Sequence, residues 1–451
     1  MRIVAQLLVL AALKIVCMRL DAQGTEEYEQ PPINYSQTEP RDAVSRLKAR
    51  IAVGELKIEG GEKEVVRAIL KALRIPIDSQ ILVFSKTSFQ RSRINPGHPR
   101  ALFYTDNCYV GWVPGGLAEV TTIDPVLGPV FYSVDPRGLV GPARPEFKRD
   151  ADCMGCHGGS FVRGIPGVFA RSVYPDENGE PLLRQGTEIV DYRTPFEERW
   201  GGWFVTGTHG KTLHRGNVFA SEKGSQLVFD PARGANLNNL SSFFDASDYL
   251  TTGSDIVSLM VFEHQTAMQN VLTRAGMTCR RMLDYQKNLE HDLGEPVGED
   301  PHYDSVKSVF DSSAREVVDT LLFKDEAVIP ERVEGSAAFQ KAFGANAPRA
   351  GDGSSLKDLL ISVRLFKNRC GYLIYSESFL ALPRQLKSRI YSRLAQALKP
   401  ENPDPRYNYL AAEERARIVF ILRQTHPELK SNGWLAQNTS PERSDADSPT
   451  E

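Results

Sequence analysis

Cysteine is scarce in this chain, with six in 451 residues. That excludes a small scaffold stapled by disulfides. Methionine and histidine are nearly as rare, at seven and eight, so a site built from them draws on few residues. Beyond the first 22 residues no stretch approaches the ~20 apolar residues that a membrane helix needs. No membrane span is therefore expected in the mature chain. An excess of basic charge is missing too. The formal net charge is −3, which leaves no basic stripe for nucleic acid. No internal repeat is visible, so a solenoid is excluded. What remains is an ordinary globular composition, 41% hydrophobic and 25% charged, at a length that suits roughly two or three domains.

The first residues have the form of an export signal. Arg2 supplies a positive start, and residues 3–13 are an apolar run. Lys14 interrupts that run, and Ala22 is a candidate end of the cleavage site, with Leu20 where a small residue is usual. Segment 1–22 is read as a cleaved signal peptide, with an uncleaved anchor as the alternative; a mature protein starting at Gln23 would lie in the periplasm or at the cell surface. Residues 23–75 read as a polar linker followed by two helices, over 41–57 and 62–73, the second stopped before Pro76. Residues 76–235 read as β-rich. Short apolar and β-branched runs over 80–135 suggest a meander, with turn chemistry at 124–129 and a hairpin turn near Asp176-Glu177-Asn178-Gly179. Residues 236–435 read as mainly helical, with helices over 255–272, 305–322, 355–366, 383–398 and 411–424 and Ser254 as N-cap of the first. Residues 436–451 are a polar tail. The expected fold is α+β: a β-rich part over about 80–230 packed with a helical C-terminal part.

One motif carries chemistry: Cys153-Met154-Gly155-Cys156-His157. C-x-x-C-H is the pattern of c-type haem attachment. Two thiols three residues apart can reach both former vinyl groups on one porphyrin edge, and the adjacent imidazole then binds the iron. Chance produces this pattern on the order of once per thousand chains of this composition. A zinc site would need a second ligand pair, and no other C-x-x-C exists. A thioredoxin-like pair would open a helix in a βαβ unit, whereas Gly158 to Gly167 is rich in glycine and contains Pro166. The cofactor expected is therefore one covalent haem c, held by Cys153 and Cys156 with His157 as proximal iron ligand, seated between the β-rich and helical parts.

The distal side is open at this point. His214 leads the candidates, followed by His209 and His264, then Met260 and Met268, with an iron open to solvent as the alternative. Arginines cluster near the motif at Arg163, Arg171, Arg193 and Arg199 and could pair with haem propionates, Arg163 and Arg171 first among them. Trp200 and Trp203 could wall the pocket.

The chain resembles a family of bacterial secreted cytochrome c domain proteins with a single C-x-x-C-H motif. The resemblance covers roughly 75–435 and rests on several further segments. These include Tyr109-Val110-Gly111-Trp112-Val113, Arg199-Trp200-Gly201-Gly202-Trp203, His214-Arg215-Gly216-Asn217 and Val261-Phe262-Glu263-His264-Gln265. It implies haem binding and electron transfer, with an unidentified protein or small molecule as redox partner. A haem enzyme of peroxidase or oxidase type with an open distal site is the competing expectation, and the length of the chain favours it.

Overall fold

The computed structural model describes residues 26–137, 145–401 and 404–430. The expected signal segment and the polar tail lie outside the described residues. The stretch expected to be a linker is packed. Tyr28, Ile33 and Tyr35 are buried, and the Tyr35 hydroxyl donates to the Pro129 carbonyl oxygen at 2.7 Å. These three apolar side chains stand among polar neighbours without a helical or strand period, which is why composition hid them. Two amphipathic helices follow, α1 (Ala43–Ala52) and α2 (Glu62–Ala72). Asp42 caps α1 by accepting from the Ser45 amide at 2.8 Å.

Strands β1 (Ile81–Val83), β2 (Arg100–Thr105), β3 (Cys108–Trp112), β4 (Ala118–Asp124), β5 (Gly128–Val134) and β6 (Lys148–Arg149) form an antiparallel meander. The expected 124–129 turn joins β4 to β5, with Asp124 Oδ1 accepting from the Val126 and Leu127 amides, both at 2.7 Å. The motif turn α3 (Met154–His157) follows. β7 (Ala170–Val173) and β8 (Thr187–Val190) pair as a separate hairpin around the expected Asp176–Gly179 turn. β9 (Trp203–Phe204) returns to β1 and completes a seven-stranded sheet ordered β6-β5-β4-β3-β2-β1-β9.

Side chains alternate across this sheet. Leu82, Ala101, Phe103, Val110, Val120 and Val130 face α1 and α2 and form one core with them. Ile81, Tyr104, Tyr109 and Phe131 point the other way and share a second core with the helical part. The sheet is therefore a middle layer.

The helical part contains α4 (Ile256–Leu293), α5 (Asp304–Leu321), α6 (Ala337–Gly344), α7 (Glu377–Leu380), α8 (Arg384–Ala397) and α9 (Ala412–Thr425). α4 has 38 residues and runs well past the expected end at 272. Its cap is Asp255, whose Oδ2 accepts from the Ser258 amide at 2.9 Å. Ser254 is engaged elsewhere: its hydroxyl donates to Phe204 O at 2.6 Å and accepts from the Leu82 amide at 2.8 Å, bridging β9 and β1. The helix expected over 355–366 is absent. Leu359 bridges to Phe366, Ile361 sits at φ 49°, and this segment hydrogen-bonds through its backbone to Ile329 and Val333. Pairing with a neighbouring segment overrode its local pattern. α6 was not anticipated. Among the described residues no helix is long and apolar enough to cross a membrane.

Candidate functional site

The motif enters the structure from the edge of the sheet. β6 pairs Arg149 with Tyr132, and the Asp150 amide donates to Phe131 O at 3.1 Å. The Asp150 carboxylate then accepts from the Asp152 amide at 3.1 Å and starts a helical turn that runs to His157. Gly158 ends it. Within this turn Cys153 and Cys156 are three residues apart and so lie on one side. Burial pushes the Cys153 thiol up to about 12, and Asp150 adds to the shift, so it is held protonated.

His157 is clamped by its own loop. Its Nδ1 lies 2.8 Å from the Gly167 carbonyl oxygen. A carbonyl only accepts, so Nδ1 carries the proton and Nε2 keeps its lone pair. The Gly167 amide returns a bond to His157 O at 2.8 Å. The ring packs against Phe131 at 4.6 Å and Phe169 at 5.2 Å. Burial holds the imidazole below its ordinary value, which keeps it neutral, as a metal ligand must be. The loop is tied down from α4. Asn270 accepts from the Val168 amide at 3.0 Å and donates to Val168 O at 2.7 Å.

Cys153, Cys156 and His157 all line one half-open cavity of about 520 Å³, within the usual size of a cofactor site. Its floor is the sheet, through Val83, Arg100, Leu102 and Glu119. Phe169, Arg171 and Trp203 help to wall it. Phe89 and Leu183 stand at it with 61% and 64% of their surface exposed, an apolar surface suited to a flat apolar ligand. Every lining residue falls between Val83 and Trp203. The lining thus comes from the β-rich part, on the sheet face whose core is shared with the helical part.

The other expected residues divide. Arg171 lines the cavity. Its Nε donates to Thr187 Oγ1 at 2.7 Å, its guanidinium lies over the Phe161 ring at 4.9 Å, and burial lowers its pKa. Trp203 also lines it and donates to Arg171 O at 2.7 Å. Arg163 does not. It points to Glu316 at 3.5 Å and lines a separate cavity of about 360 Å³ between the β-rich and helical parts. Arg193 pairs with Asp191, and Arg199 makes a buried ion pair with Glu263 at 3.0 Å. Trp200 is in the core against His214, ring centres 5.0 Å apart.

None of the three distal candidates lines the motif cavity. His209 has both ring nitrogens engaged, Nδ1 with Thr212 O at 2.6 Å and Nε2 with the Asn236 amide at 2.9 Å. His214 accepts from the Gly216 amide at 3.0 Å and sits 4.5 Å from His209, ring to ring. His264 is fully buried and stacked on Phe323 at 4.1 Å. Met260 and Met268 are buried in the core. Gly167, Asn270, Arg100 and Glu119 went unnoticed in the sequence. A glycine that offers its carbonyl and a helix asparagine that reaches a distant backbone leave no local pattern.

Cys108, Cys279 and Cys370 are separate buried thiols. Among the described residues no group of three or more His, Cys, Asp or Glu is placed to hold a metal ion. No family model, curated protein or solved structure matches this chain.

Proposed function

We propose that this protein is an exported c-type cytochrome that carries one covalent haem and passes electrons to or from a redox partner. The observation that carries this reading is His157. Its Nδ1 is committed to Gly167 O at 2.8 Å, which leaves Nε2 with its lone pair, and His157 lines one cavity with both motif thiols. A second polar group fixing the tautomer of a ligating histidine is the usual arrangement around a bound metal. Arg171, whose side-chain contacts among the described residues are the Thr187 hydroxyl and the Phe161 ring, suits a haem carboxylate. When bound, the haem would supply a one-electron redox centre. The chain would hold it at Cys153 and Cys156, orient His157, and cover one side with the sheet floor. Export fits this reading because such haems are attached outside the cytoplasm; periplasm or cell surface is the proposed location. A haem enzyme with an open distal position is the second reading. It is favoured by the absence of a second histidine or any methionine among the described residues lining the cavity.

The test uses the full chain matured with haem-attachment machinery. Denatured, reduced protein in pyridine is expected to show a c-type band at one haem per chain, and acid-acetone should not extract it. Cys153→Ala or Cys156→Ala should sharply lower incorporation. Haem extracted freely from the unaltered chain would sink the assignment.

A further inference from the structure

Phe89 is the one apolar residue between Lys86 and Arg93, and it is exposed at the motif cavity. Its loop is fixed at both ends. The Phe84 amide donates to Gly202 O at 2.9 Å. Gln90 is buried; its Nε2 donates to Leu117 O at 3.0 Å, and its Oε1 accepts from the Leu117 amide at 2.8 Å. Phe89 therefore stands out from a backbone that is held in place.

Leu183, on the connection between β7 and β8, is the second large apolar side chain exposed at the cavity. Its segment is clasped to the loop of Phe89. The Lys86 amide donates to Gly179 O at 2.8 Å. Lys86 Nζ is 3.2 Å from Glu180 Oε1 and is engaged there, and Arg91 Nη2 donates to Glu180 Oε2 at 3.1 Å. Gly179 has φ 81°, and a Cβ there would collide with Phe84 O, so the turn sits flush against the residue that follows β1. A single exposed Phe or Leu is ordinary on a protein surface. Two of them, on clasped segments that border one concave site, mark a surface with an apolar occupant.

We propose that Phe89 and Leu183 are haem-contacting residues: they pack on the part of the ring that the thiols and His157 do not hold, and they keep water from it. This rests on the haem reading above. The occupant is the haem rather than a partner protein because both side chains line the same cavity as Cys153, Cys156 and His157.

The experiment uses the full chain, produced with and without haem-attachment machinery. The pyridine assay comes first; absence of a c-type band overturns the haem reading, and this one with it. With haem present, backbone hydrogen exchange over 86–91 and 180–185 is expected to be slower in the haem-loaded chain than in the haem-free chain. Phe89→Ser and Leu183→Ser should each lower the midpoint potential, and the double variant should lower it further, because admitted water stabilises the more highly charged oxidised iron. Phe89→Leu should stay close to the unaltered chain. Both positions are exposed, so the haem-free serine variants should unfold at the unaltered midpoint, which separates this effect from a loss of fold. Two results overturn the inference while sparing the haem. They are a midpoint potential unchanged in the double variant, or hydrogen exchange in both segments unchanged by haem loading.

Discussion

His264 and His214 are both buried imidazoles, and His264 stands in a place that suits a benzene ring. His264 lies among Tyr192, Phe323, Phe366 and Tyr372, with neither ring nitrogen hydrogen-bonded. Burial drives each pKa from 6.5 down to about 3. The folded values are below the unfolded ones, so the stability linked to these groups is complete above pH 6.5 and is lost as pH falls toward 3. Each can contribute a slope of up to about 1.4 kcal/mol per pH unit in that window. His264→Phe keeps the stack and removes the titration. Denaturant unfolding at a series of pH values from 7 to 4 is expected to show a flatter acid decline in this variant. A decline as steep as that of the unaltered chain would contradict the assignment. On the haem reading proposed above, the variant should also keep the haem and its spectrum, because His264 is outside the motif cavity.

α4 connects the motif to the rest of the protein through Asn270, whose amide makes both hydrogen bonds to Val168. If the proposed haem is bound, Asn270→Leu should keep it covalently attached, since the thiols do not depend on it, yet loosen the His157 loop. A shift in midpoint potential and faster displacement of His157 by added imidazole are the expected signs; an unchanged potential would show that the loop stands without α4. At its start, the same helix relies on Asp255. Asp255→Ala should cost about 1 kcal/mol for the cap, and more because the Ser336 amide also loses its acceptor, measurable as a lower denaturation midpoint. These two residues mark how much the sequence disclosed. The motif, the meander and three of the long helices are written in spacing and turn chemistry, and they were legible. The extra length of α4 was not, because past Cys279 it buries only Gln286 and Glu290 and so carries no apolar stripe to announce a helix. For the distal candidates the sequence is silent for another reason. Histidine names a donor wherever it stands, but only the folded chain shows that His209 already has its two partners.

At the scale of the molecule, the sheet has no face of its own to give to solvent except at the motif cavity. One side packs on α1 and α2, and much of the other on the helical part. Residues 26–235 expressed alone are therefore expected to expose Ile81, Tyr104, Tyr109 and Phe131 and to lack a cooperative unfolding transition, whereas the full chain should show one. Heat or denaturant curves followed by near-ultraviolet circular dichroism distinguish the two, and a sharp transition in the fragment would show that the helical part is dispensable. The location of the cavity has a further consequence, in the order of events. A chain that emerges from its N-terminus has every lining residue in hand once Trp203 is out, while all of α4 to α9 is still to come. Asn270, which fixes the His157 loop, arrives later. The thiols would thus be presented on a loose loop first and the imidazole locked afterwards, a sequence that, on the haem reading proposed above, would give an attachment enzyme access to the motif before the protein closes its grip on the ring.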